Sequence, residues 1–161
     1  MSADGNRQFI DTNVLIYAYD RSSGLKQKRA QEILEGLWES GQGCLSIQVL
    51  QEFFTTVTCK IPHPLLADEA ALVITDMAQW RVHSPVAADV LAAIELAREG
   101  QLSYWDAAII VSAQRLGCGL LWSEDLQDGA CYGGVKVRNP FNQLPLIQEP
   151  AAAYAPEPPK A

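Results

Sequence analysis

Phe9-Ile10-Asp11-Thr12-Asn13-Val14-Leu15-Ile16-Tyr17-Ala18-Tyr19-Asp20 decides how the rest of the chain is read. An apolar pair suited to the end of a short strand is followed by an acid, two small polar residues and an apolar run of helical length. An acid at that handover faces the free N–H groups and positive dipole end of a helix. The plain account of Asp11 is a cap, since aspartate is a preferred N-cap residue. A catalytic role requires further acids at the same place, and the chain supplies candidates.

Working outward, Arg21-Ser22-Ser23-Gly24 breaks the pattern as turn residues do. A second helix is expected over 25–40, its apolar positions Ala30, Ile33, Leu34, Leu37 and Trp38 stepping by three and four. Lys26, Lys28 and Arg29 make its first turns basic, against the helix dipole. They read as a solvated face, yet they are also the densest positive cluster and so candidate contacts for an anionic partner. Cys44-Leu45 begins a short strand, and Ser46 is placed to cap a third helix running to about Thr58. Glu52 interrupts the apolar neighbourhood of that helix; a solvent-facing edge is its default reading.

A fourth helix is expected over 65–79, a strand at 80–83 and a fifth helix with Pro85 at its first position, ended by Gly100. His83 has no second His or Cys nearby and reads as structural or exposed. Ser103-Tyr104-Trp105-Asp106 opens a sixth helix and resembles a capping box with Asp106 at N3. Capping boxes favour the longer Glu or Gln there, which weakens that account of Asp106. Cys118 to Trp122 reads as a buried strand, followed at once by Ser123-Glu124-Asp125-Leu126, where Asp125 suits an Asx-turn or a cap. Asp128-Gly129 makes a loop, and Val135 to Arg138 alternates as a last strand.

At 161 residues and 48% apolar composition, the chain suits one domain with a full core. That domain is expected over 1–144. The Pro- and Ala-rich tail 145–161 has no periodicity and is expected to be disordered. Net charge of −7 means that bulk electrostatics do not recruit nucleic acid. Either the substrate is not a polyanion, or acids gather at a site that a divalent metal neutralises. The four cysteines are scattered without a C-x-x-C pair, so zinc is disfavoured, and they read as buried small apolar residues. No secretory signal and no apolar run of membrane-spanning length is visible, which suits a cytoplasmic protein without a membrane partner.

Strands alternating with helices imply a mainly parallel sheet with helices on both faces, a three-layer α/β/α sandwich. Ligands in such folds bind beyond the carboxyl ends of the strands. Asp11, Asp106 and Asp125 fall at strand-to-helix handovers or helix starts, and Glu52 lies near the start of its helix, so all four can converge on one rim. Two carboxylates about 4 Å apart repel by about 4 kcal/mol at an effective dielectric of about 20. A shared proton or a cation must offset that, and oxygen-only donors suit Mg²⁺ or Mn²⁺.

Five blocks now stand in order: Ile10-Asp11-Thr12-Asn13-Val14-Leu15, Ser46…Gln51-Glu52-Phe53, Ser103-Tyr104-Trp105-Asp106-Ala107, Ser123-Glu124-Asp125-Leu126 and Asn139-Pro140-Phe141. Together they resemble a PIN domain over about residues 8–142, and most closely the VapC toxins of bacterial toxin–antitoxin pairs. The resemblance implies a ribonuclease that hydrolyses RNA with metal-activated water. Asp11, Glu52, Asp106 and Asp125 match the family's catalytic acids, with Asp11, Asp106 and Asp125 as the metal ligands. Asn13 and Ser123 match polar residues that support the cluster. Asp128 has no firm counterpart and stays an auxiliary acid. The implied partners are an RNA substrate, a small antitoxin encoded nearby and a second copy of the chain, for which the third and fourth helices offer spare apolar side chains.

Three alternatives stand beside this one. A haloacid-dehalogenase-type phosphatase needs a second Asp two residues after the first, and position 13 is Asn. A PIN-like module could bind RNA or protein without cutting. The nuclease could also serve RNA processing rather than act as a toxin.

Overall fold

The computed structural model describes residues 6–145 of the chain. At its centre is β1 (Gln8–Ile10), whose Phe9 and Ile10 have no exposed surface. A strand buried on both faces carries no polar alternation, so the apolar pair suits this position. Outward from it run α1 (Thr12–Tyr19), a single 3-10 turn (Arg21–Ser23), α2 (Leu25–Ser40), β2 (Gly43–Ser46), α3 (Ile47–Val57), α4 (Ala67–Met77) and β3 (Arg81–His83). Then come α5 (Ala87–Gly100), α6 (Tyr104–Arg115), β4 (Leu120–Trp122), β5 (Cys131–Tyr132) and β6 (Val135–Arg138).

The sheet order is β3-β2-β1-β4-β6-β5, parallel throughout except for the antiparallel β5–β6 pair. Helix α6 packs across β2, β4 and β6 with α5 against it, while α1 packs on α2 and α3. This is the expected α/β/α sandwich with a mainly parallel sheet. The chain leaves β1 toward β2 on one side and returns to β4 on the other, so order reverses between β1 and β4. In open parallel sheets the ligand crevice lies beyond the carboxyl ends at such a reversal. The ladder runs on past the strands there: Asp11 N–H donates to Trp122 O at 2.9 Å and Ser123 N–H to Arg138 O at 3.0 Å. Backbone pairing alone therefore sets Asp11 beside Ser123.

Several expected details differ. The fifth helix begins at Ala87 rather than Pro85, because the Asp89 carboxylate accepts the Val86 N–H at 2.9 Å and fixes the N-terminus there. It runs to Gly100 as expected, and Gln101 in the left-handed conformation (φ 53°) caps it. Strand β5 was not anticipated; Gly133 and Gly134, both at positive φ, turn it into β6. Of the cysteines, Cys44 and Cys118 are buried as expected, but Cys59 in the turn after α3 and Cys131 on the edge strand are exposed. His83 is structural: its Nδ1 lies 2.8 Å from Ser112 Oγ and its Nε2 3.2 Å from Asp89, which Arg115 also meets at 2.8 Å. Residues 146–161, nearly all of the tail, lie outside the described residues. No helix among the described residues is long and apolar enough to cross a membrane.

Candidate active site

Asp11 is both cap and cluster member. Its Oδ1 accepts the Thr12 N–H at 2.7 Å at the start of α1, which is the capping role anticipated from its position. Its Oδ2 accepts the Ser123 hydroxyl at 2.7 Å and, more weakly, the Asn13 amide at 3.4 Å. The same Asn13 amide group donates to Asp125 Oδ2 at 3.0 Å, and its carbonyl accepts the Glu124 N–H at 3.3 Å. One asparagine thus ties two carboxylates and the turn between β4 and β5 into a single unit. Only an amide does this: an aspartate at 13 would place a third negative charge where two already meet.

Ser123, fully buried, organises that turn. Its Oγ donates to Asp11 while accepting the N–H groups of Asp125 at 3.2 Å and Leu126 at 3.3 Å. The turn cap expected of Asp125 is therefore supplied by Ser123, which leaves the Asp125 carboxylate free to face Asn13. Burial pushes the Asp11 carboxyl up to about 7, against the lowering effect of the Ser123 hydroxyl and Thr12 N–H; the charges of Asp125 and Glu52 add to the rise. Such an acid is uncharged or half-charged near neutrality until a cation offsets the repulsion.

Glu52 is exposed on α3 and close enough for its charge to act on Asp11. Its Oε1 accepts from Gln48 Nε2 at 2.8 Å, and the same Nε2 reaches Trp105 O at 3.2 Å. Gln48, one turn before Glu52, escaped the sequence reading although the i,i+4 spacing was there to see. It links α3 to the first turn of α6, where Asp106 sits half-buried. Ser103 caps α6 by accepting the Asp106 N–H at 3.1 Å, but Asp106 returns no bond to Ser103, so half of the capping box is absent and its carboxylate is left for other use. Asp11, Asn13, Ser123 and Asp125 form one hydrogen-bonded group, and Glu52 joins it through its charge on Asp11. Asp106 is not bonded into that group; Gln48 reaches only the backbone carbonyl of its neighbour Trp105.

Asp128 stands apart. Its two oxygens accept from Asn139 N and Asn142 Nδ2, both at 2.8 Å, and so hold the 139–142 turn. Among the basic candidates, Lys28 is exposed, whereas Lys26 pairs with Glu124 at 3.0 Å, and Arg29 donates to Pro140 O at 3.1 Å and lies over the Trp122 ring.

Among the described residues, no group of three or more His, Cys, Asp or Glu side chains lies close enough to hold a metal by itself. The donor set nevertheless fits a hard divalent cation. It is all oxygen, and Mg²⁺ commonly takes one or two carboxylates, filling its octahedron with water and substrate phosphate. Asp11 and Asp125, joined through Asn13, supply that pair.

A family model described as the PIN domain matches residues 9–127. No curated protein matches the sequence. Among solved structures, a toxin–antitoxin complex from Klebsiella pneumoniae superposes with a TM-score of 0.63 at 20% identity, covering 83% of this chain and 97% of that one. VapC20 of Mycobacterium tuberculosis, a toxin that cleaves the sarcin–ricin loop, gives 0.54 at 20% identity, over 71% and 86% of the two chains. DNA-bound VapBC from Salmonella typhimurium gives 0.57 at 18% identity, over 83% and 97%. At these identities the likeness is one of fold.

Proposed function

Because this chain belongs to the PIN-domain family, we propose that it is a divalent-metal-dependent endoribonuclease, acting in the cytoplasm as the toxin of a toxin–antitoxin pair. The observation that carries the reading is the junction of Asp11 and Asp125 through Asn13, with the Asp11 carboxyl raised to about 7 by burial and by neighbouring acids. That is an arrangement poised to lose a proton when a cation arrives. Mg²⁺ or Mn²⁺, when bound, supplies a water of lowered pKa and positive charge facing the phosphate under attack. Asp11 and Asp125 would hold it, and Asp106, at the start of α6 and outside any three-acid group in this structure, would contribute through a bound water. Asn13 keeps the two carboxylates at a fixed separation, and Ser123 holds Asp11 and the turn that bears Asp125. Glu52, exposed on α3, would take a proton from water at the rim. Residues 1–144 would form the nuclease unit, with the remainder of the chain an appendage to it.

The partners follow by the same reading. The superposed neighbours include toxin–antitoxin complexes, which supports a small antitoxin whose basic residues enter the acidic crevice. Exposed apolar side chains on α3 (Ile47, Phe54), α4 (Leu72) and α5 (Val90, Leu91, Ile94) support a homodimer.

The test is RNA cleavage by purified protein with Mg²⁺, with Mn²⁺ and with EDTA, alongside Asp106→Ala. Cleavage should need metal and be lost in the variant, whose Ser103 cap survives and whose circular dichroism should be native. Metal-independent cleavage, or a folded and fully active Asp106→Ala, would refute the mechanism. Growth arrest on induction in a bacterial host, relieved by the adjacent small gene, separates a toxin from an RNA-processing nuclease. Absence of any cleavage would favour a non-catalytic PIN module.

A further inference from the structure

Ser123-Glu124-Asp125 places two acids side by side at the crevice, and the fold treats them oppositely. Asp125 faces Asn13. Glu124 turns to the other side of the turn, where its Oε1 accepts from Lys26 Nζ at 3.0 Å and from Tyr17 OH at 3.3 Å. Lys26 comes from α2 and Tyr17 from α1, and the Lys26 ammonium lies 5.0 Å from the Tyr17 ring centroid and 5.4 Å from that of Phe141. Tyr17 and Phe141 meet edge to face at 5.0 Å, closing the other side. Glu124 Oε2 is buried with no hydrogen-bond partner among the described residues. The anion is therefore held wholly through Oε1, by one cation and one hydroxyl.

The same residue's N–H donates to Asn13 Oδ1, so Glu124 is fastened at both ends: backbone to the asparagine that joins the acids, side chain to α1 and α2. From this geometry we infer that the Lys26–Glu124 ion pair is a positioning element for the metal site, anchoring the turn so that Asp125 stays on Asn13. It rests on the metal-dependent reading given above. A turn anchored on one side only would let Asp125 drift from Asn13, and supporting residues of this kind commonly change metal affinity by about 10- to 100-fold. Nothing in the sequence marks Lys26 out for this; its placement depends on α2 crossing the end of β4.

Mn²⁺ binding to the full chain, measured by calorimetry or electron paramagnetic resonance, tests it. The variant Lys26→Met/Glu124→Gln removes one positive and one negative charge, so net charge is unchanged and only the anchor is lost. Its Mn²⁺ affinity should fall about tenfold with native circular dichroism, and Lys26→Arg should bind as the wild type does. In an Asp125→Asn background the same double substitution should have no further effect, because the anchor acts through Asp125. Should the double variant not fold, Glu124→Gln and Lys26→Met are measured separately: their charge changes are opposite in sign, so loss of Mn²⁺ affinity in both is the loss of the anchor, and loss in Glu124→Gln alone overturns the inference. Undiminished affinity in a folded anchor variant would overturn the inference, as would an equal loss in the Asp125→Asn background. If the wild type binds no Mn²⁺, or Asp11→Asn binds it equally well, the metal reading fails and takes the inference with it; that result is distinct from a loss confined to the anchor variants.

Discussion

Asp11→Asn should make the metal-free protein more stable at alkaline pH while removing its activity. The carboxyl of Asp11 ionises at 3.8 when exposed and at about 7 in the fold. A raised value means that the folded state holds the proton more tightly than the unfolded chain does. Stability from this group is therefore fully present below pH 3.8 and is lost as pH rises through about 7. The full gap corresponds to about 4 kcal/mol, of which about 2.5 kcal/mol falls between pH 5 and pH 8. Asparagine does not titrate and is itself a good N-cap, so it keeps the Thr12 contact. Its amide would face Ser123 Oγ, whose hydroxyl must rotate to accept, a loss of about 1 kcal/mol that does not depend on pH. The informative quantity is the difference of differences: urea unfolding of wild type and variant, each at pH 5 and pH 8, in EDTA. Titration of groups that do not interact with Asp11 cancels in that comparison. The wild type should lose about 2.5 kcal/mol more than the variant does. Saturating Mg²⁺ at pH 8 should restore the wild type and leave the variant unchanged, because a cation that binds the folded state supports it by mass action. Parallel pH dependence of the two proteins in EDTA would refute both the buried, proton-holding Asp11 and the argument that metal discharges it.

The Asp89 carboxyl shows the opposite sign. Its hydrogen bond from Arg115, first, and then that from Val86 N–H hold it below the usual aspartate range. Its support is present above the unfolded value and lost as pH falls through the folded one, so Asp89→Asn should flatten the acid limb of a thermal-melt series, and an unaltered limb would count against the network. Gly43→Ala places a Cβ 2.6 Å from the Trp80 ring, and overpacking of this kind should cost about 1–3 kcal/mol in urea unfolding. A neutral effect would mean that Trp80, which stacks edge to face on Trp38, is freer to move than its packing implies.

Much of this was legible from residue order alone. The apolar pair before Asp11 and the stepped positions Ala30, Ile33, Leu34 and Leu37 of α2 depend on local periodicity, which survives without knowledge of the fold, whereas Trp38, read onto the same face, is 42% exposed. Ser46 and Ser103 cap their helices where their sequence context places them. The β5–β6 hairpin was missed although Gly133-Gly134 is a turn signal, because a two-residue strand has too few side chains to show alternation.

Which acids belong together, and in what chemical state, was not legible. Residue order was enough to put acids at strand ends and helix starts, since strand, turn and helix propensities act over a few residues. It took the folded chain to make Asn13 bridge Asp11 and Asp125 across more than a hundred residues, to turn Glu124 away to Lys26, and to set Asp128 on a distant turn instead of in the cluster. Those outcomes depend on parallel pairing of β1 with β4 and on the crossing of α2 beside them. The raised pKa of Asp11 likewise comes from desolvation and from charges on other elements, and neither exists until the chain has folded around it.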